Sequence, residues 1–141
     1  MSTWTELKNY ARSSYKLAEE RDHSFKVVFK YTGGRLQAVI VSHYEAMGRA
    51  WVDFSSACCR VDRMDPRKAL EQGFNLAIGA ICLDGDVYVV RHTVLLDELS
   101  ADDDLQIHMH AVARTADQIE RSLARSEPVQ VSMPELGNDL P

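Results

Sequence analysis

The residues of this chain that could do chemistry are five histidines, three cysteines and several short runs of carboxylates. His108 and His110 form an HxH pair, a chelate when carried on a strand. The surrounding sequence is helical, and helix positions two apart diverge by about 200°, so the pair reads as flanking or exposed histidines. Asp102, Asp103 and Asp104 could hold a cation, yet three carboxylates in a first helical turn are also what the helix dipole favours. The Asp84-Gly85-Asp86 run lacks the further oxygen ligands and the glutamate of a calcium loop, and it reads as a hairpin turn. Cys58 and Cys59 have neither a CxxC partner nor a histidine close in sequence, so both read as core filling. His23, His43 and His92 could join a serine or aspartate in space, because such triads are recognised by geometry. No nucleophile elbow, phosphate loop or dinucleotide fingerprint accompanies them. The expectation is a protein without catalytic residues, metal ligands or a cofactor. The densest basic segment, Arg60, Arg63, Arg67 and Lys68, is interleaved with Asp62 and Asp65, which makes an internally paired surface a better reading than a phosphate site.

Composition narrows the partners. At 141 residues and 45% apolar content the chain suits one core. The expected division is a domain over residues 1–125 and a proline-containing tail over 126–141, mobile or lying across a partner. A formal charge of -5 opposes attraction to phosphate backbones and argues against direct nucleic-acid binding. Trp4, Glu6 and Lys8 stand where a signal peptide needs an apolar run, and no stretch approaches the roughly 20 apolar residues that span a bilayer. An odd cysteine count, with Cys58 and Cys59 adjacent and pointing to opposite faces of a strand, argues against a disulfide framework. A cytoplasmic protein without membrane contact is expected.

The elements that must position these residues follow from periodicity. Thr3 and Glu6 have capping-box spacing, and Trp4, Leu7, Ala11, Ser14 and Ala18 share one helical face. From Phe25 the period becomes two, through Val27, Phe29 and Tyr31, until Gly33 and Gly34 turn the chain. Leu36, Ala38 and Ile40 then alternate with Gln37, Val39 and Val41, and a third extended run holds Trp51, Val52, Asp53 and Phe54. Asp65 followed by Pro66 marks the start of a short helix running to about Phe74. Ile81 and Leu83, the Asp-Gly turn, and Val87 to Val94 make the strongest hairpin signal. Ser100, with Asp103 three positions on, opens the last helix, in which Leu105, Met109, Val112, Ala116, Ile119 and Leu123 recur at spacings of four and three. The expected fold is α+β, a five-stranded antiparallel sheet with helices mainly on one face, in the order α-β-β-β-α-β-β-α.

That order, with Asn75, Gly79, Asp84-Gly85-Asp86, Val89-Val90-Arg91-His92 and Ala116-Asp117, resembles the YbjN-like family, whose members share the fold of type III secretion chaperones. The resemblance covers most of the chain and is best from about Phe74 to Leu123. It implies a homodimeric helper or regulatory protein rather than an enzyme, and no defined biochemical activity. A secretion chaperone would add the binding of an extended segment of another protein.

The sheet supplies an independent argument. Several strands are apolar on both alternations, while three helices cannot be assumed to cover both faces. If Phe25, Val27 and Phe29 pack under helices, the opposite face holds Val28 and some of Val39, Val41, Trp51 and Val89, an apolar patch of the kind that marks association. Ile107 falls on the helix face of Arg114, Gln118 and Arg121, away from the apolar stripe. Val28, Val39, Val41, Trp51, Val89 and Ile107 are therefore the candidate protein-interface residues. The expected function is a non-catalytic binding module of chaperone, adaptor or regulatory type. It acts as a homodimer and captures a segment of a further, unidentified protein partner, added along a sheet edge. The alternatives are a regulator sensing a small ligand between sheet and helices near Tyr88, His92 and the cysteines, and an enzyme with a spatially assembled site.

Overall fold

The computed structural model describes residues 3–100 and 102–124. The chain enters through helix α1 (Trp4–Ser14), closed by a capping box in which the Thr3 hydroxyl accepts the Glu6 N–H and the Glu6 carboxylate accepts the Thr3 N–H, both at 3.2 Å. Tyr15 is already extended, and the helix stops four residues before its sequence pattern does. Ala18 therefore lies not on that helix but in an edge strand, β1 (Leu17–Arg21), which pairs antiparallel with β2 (Ser24–Lys30). This strand is the sixth, and it corrects both the expected count and the expected order. Its sequence, LAEER, has no alternation to announce it, because four of its five residues are exposed and charges guard its edge.

Strands β3 (Leu36–Ala46) and β4 (Arg49–Arg60) continue the meander. Helix α2 (Pro66–Phe74) begins at the expected Asp65 cap, whose carboxylate accepts the Lys68 N–H at 3.0 Å. The hairpin of β5 (Ala80–Asp84) and β6 (Val87–Leu95) turns at Gly85-Asp86, and β6 inserts beside β4, so the sheet order is β1-β2-β3-β4-β6-β5. Gly79 makes the bend into β5. Its φ is +75° and an added Cβ would stand 2.7 Å from the Arg91 carbonyl oxygen, so only glycine fits. Helix α3 (Asp103–Ala124) closes the described chain.

The core lies between one sheet face and the helices. Phe25, Val41, Phe54 and His92 form a continuous row across β2, β3, β4 and β6, and Val27 pairs with Val39 beside it. Leu105, Met109, Val112, Ala116 and Ile119 of α3 are wholly buried against β3, β4 and β6. Burial of such side chains contributes roughly 1.5 to 3 kcal/mol each, and this docking holds a helix that would be marginal alone. Trp4 stacks on Phe25 at 5.7 Å and Tyr15 meets Phe29 edge-on at 6.2 Å, which docks α1 on the same face. The Gly73 position of α2 approaches Ile81, an inward-facing residue of β5, which places the third helix on that face as well. No described helix is long and apolar enough to cross a membrane. The expected tail, 126–141, lies outside the described residues.

Candidate protein-interaction surface

With the helices on one side, the other face of the sheet carries the outward alternation of each strand. Cross-strand register sets its rows: Val28 beside Ala38, Ala57 beside Val89 and Cys82, and Lys26, Ile40, Ser55, Arg91 and Ala80 in line. Leu36 is 61% exposed, Ile40 43% and Val28 39%. A groove of about 560 Å³ runs through this half of the face, lined among others by Leu36, Ala38, Ile40, Ala57, Val87 and Val89. Its charged residues on the sheet are of both signs, Lys26 and Arg60 against Asp84.

A polar stripe bounds the groove. Asp53 accepts from Thr93 Oγ1 at 2.8 Å and pairs with Arg91 at 2.7 Å, and these charges separate the apolar half from a second cluster of Tyr44, Trp51 and Leu95. The Trp51 indole N–H donates to the Ala46 carbonyl at 2.9 Å, which fixes the ring.

Of the expected interface residues, Val28, Trp51 and Val89 stand on the open face, although the stripe divides Trp51 from the other two. Val39 and Val41 do not. Both are completely buried under the helices, so they belong to the core, and a charge at Val41 would disrupt the fold rather than an interface. Both alternations of β3 are apolar, so the pattern leaves its inward face open; the inward one also holds Gln37, whose buried amide bonds to Ser56 and the Ala57 carbonyl. The residues facing out are Leu36 and Ile40. Ile107 is 60% exposed but lies on α3, in a separate depression of about 380 Å³ with Ala77 and Ile78.

Sequence reasoning also passed over the edge at β5. Ala69 and Gly73 form the inward face of α2, which leaves Leu70 71% and Phe74 90% exposed, and Leu83 of β5 is 60% exposed. The small-residue pair four positions apart was the available signal, since it marks the side that approaches the strand.

The titratable residues are held in packing. His92 and His108 stack at 5.1 Å with Phe54 beside them, and His110 meets Phe29 edge-on at 5.0 Å. The two histidines of the HxH pair thus contact different strands, β4 and β6 for one and β2 for the other. They are half-buried rather than exposed. His92 Nε2, His108 Nδ1 and His110 Nε2 are buried without a hydrogen-bond partner. Burial lowers the pKa of all three, to about 4 for His110, where nearby Arg114 acts in the same direction. Cys58 Sγ is set 3.3 Å from the Tyr88 carbonyl oxygen beside a bulge in β4. Burial first, then Cys59, pushes its thiol up to about 12, which keeps it protonated and inert as a nucleophile at neutral pH. Asp102 accepts from the Ser100 hydroxyl and the Asp103 N–H, and Asp104 accepts the Ser100 N–H at 2.9 Å, so the acidic run caps α3, which starts at Asp103 rather than Ser100. In the basic segment Arg67 pairs with Glu71 at 3.4 Å.

Comparison with protein-family models and with curated proteins finds no match for this chain.

Proposed function

We propose that the chain is a non-catalytic protein-binding module of chaperone or adaptor type, a homodimer that captures a segment of another protein on its open sheet face. The observation carrying this reading is that the helices crowd one face of the sheet while the other exposes Leu36, Ile40 and Val28 beside a groove. A contiguous outward apolar surface of this kind costs solubility unless a partner covers it. The polar stripe gives such a partner a register, since a bound segment must set apolar side chains over the groove and polar ones over Asp53 and Arg91. The resemblance to the YbjN-like family points the same way.

The test compares partners recovered from native cells by the full chain and by Ile40→Glu, with circular dichroism to verify the fold. One dominant partner, enriched by the wild type and lost with the variant at unchanged helix content, supports the proposal. Equal recovery by both proteins overturns it.

The groove's size also falls in the range of small-molecule pockets, which favours ligand sensing as the second reading. The ligand would then sit outside the sheet against Ala57 and Val89, since Cys58, Tyr88 and His92 are packed into the interior. A metabolite that raises the melting temperature of the wild type but not of Ile40→Glu distinguishes this reading from protein capture.

A further inference from the structure

The described chain ends close to where the groove begins. Helix α3 runs towards the β2–β3 turn, where Asp117 pairs with Arg35 at 3.0 Å, and Glu120, three positions further on, lines the groove from the helix side. Ala124 follows about one helical turn later, roughly 6 Å along the axis. The sequence continues through residues 125–141 and has a pattern of its own there: Val129, Val131 and Met133 alternate with Gln130 and Ser132, between Pro128 and Pro134. Period two is the mark of an extended segment that is apolar on one side. The flanking prolines carry no N–H, which suits a segment that stacks on a face rather than one that joins a ladder. Among the described residues, Leu36 and Ile40 of the open face stay exposed.

We propose that residues 129–133 seat on the open sheet face of their own chain, Val129 over Leu36, Val131 over Ala38 and Met133 over Ile40, and that a captured protein segment must displace them. The inference rests on the reading of that face as a surface for an extended protein segment, and it names the segment that regulates it. Strand β3 starts at the end of the sheet from which the chain leaves α3, so a chain returning over the face runs in the direction of β3 and meets these three residues in this order. Both repeats have the same interval, about 6.6 Å for every two residues. Residues 125–128 can span about 14 Å, more than the roughly 10 Å that separates packed layers, so the chain can round the end of the sheet past Glu120. Gln130 and Ser132 then face water, and Glu135 arrives beside the row that holds Lys26 and Arg91. A segment tethered this closely has an effective concentration on the order of 1 mM, so a contact of three apolar side chains is occupied without being tight, and a longer partner segment replaces it.

The test uses the full chain with the photo-cross-linker benzoylphenylalanine substituted for Ile40. Isotopically light and heavy chains are mixed and irradiated, and the products are digested and identified by mass spectrometry. Position 40 should join to residues 129–136 with both halves from the same isotope. The yield should fall about tenfold when Val131→Asp and Met133→Asp are combined, with unchanged circular dichroism. The same probe at Ile107, which is more exposed but lies in the separate depression on α3, should give none of that product. Absence of the product at position 40 overturns the inference. So does a product of mixed isotopes, which would bring the segment from a second copy, and so does an equal yield from position 107. The cross-link present with partner recovery unaffected by Ile40→Glu leaves this inference standing and removes the proposed function; partner recovery lost with Ile40→Glu in the absence of the cross-link does the reverse. Where both hold, the Val131→Asp and Met133→Asp chain should recover several-fold more partner than the wild type, and equal recovery overturns the displacement.

Discussion

His110 concentrates the acid sensitivity of the fold. Its pKa lies near 4 against an ordinary value of 6.5, because burial disfavours the imidazolium and Arg114 adds to that. His108 is lowered by burial against an opposing Asp104, His92 by burial and then by His108, and His43 by burial and then by His23. Between the folded value and 6.5 the unfolded chain binds protons that the folded chain does not. Stability is therefore complete above about 6.5, falls as pH drops through that value, and stops falling on this account at the folded pKa. Each histidine can change stability by at most about 1.4 kcal/mol per pH unit, and less here because the rings are partly exposed. Urea unfolding at pH 7.5 and pH 5 should show a loss that His108→Phe and His110→Phe together reduce; an unchanged difference in the double variant would show that other groups carry it. Gly79→Ala acts through a different residue-scale cause, an added Cβ 2.7 Å from a backbone oxygen at a φ of +75°. It should cost about 1 to 3 kcal/mol by the same measurement.

At the scale of elements, the long strands and α3 announce themselves because their apolar periods match their burial, Leu105 to Ile119 above all. Strand β1 does not, because an edge that must not aggregate has charges where a pattern would have apolar residues. The choice of face in β3 was hidden for another reason: both of its alternations are apolar, and the inward one also holds a buried glutamine with internal partners. Asp117 shows what sequence pattern cannot rank. Only 6% of its side chain is exposed, and Arg35 grips it at 3.0 and 3.3 Å from the β2–β3 turn while Arg121 stands at 3.3 Å from its own helix. This contact ties the β2–β3 hairpin to the C-terminal half of α3. Asp117→Ala should cost about 2 to 4 kcal/mol, since both guanidiniums lose their counter-charge at a partly desolvated site. Hydrogen exchange of the β2–β3 turn should accelerate in that variant and in Arg35→Ala; protection equal to wild type in both would show that packing alone holds the hairpin.

Over the whole molecule, a single sheet with helices on one face divides apolar residues into those that make the fold and those that do something else. Val39 and Val41 belong to the first group and Leu36 and Ile40 to the second, although the four alternate within six positions of one strand. The double variant Leu36→Lys with Ile40→Lys places charges only where water already reaches, so the melting temperature should shift by less than about 3 °C. Val41→Lys buries an unpaired ammonium in the row between Phe25 and Phe54 and should abolish cooperative unfolding. The double variant should also bind less of a hydrophobic dye than the wild type, because its open face no longer offers a contiguous apolar patch. Collapse of the double variant would mean that Leu36 and Ile40 support the monomer itself. In that case the open face would be structural, and the partner-binding role would have to move to the β5 and α2 end of the sheet.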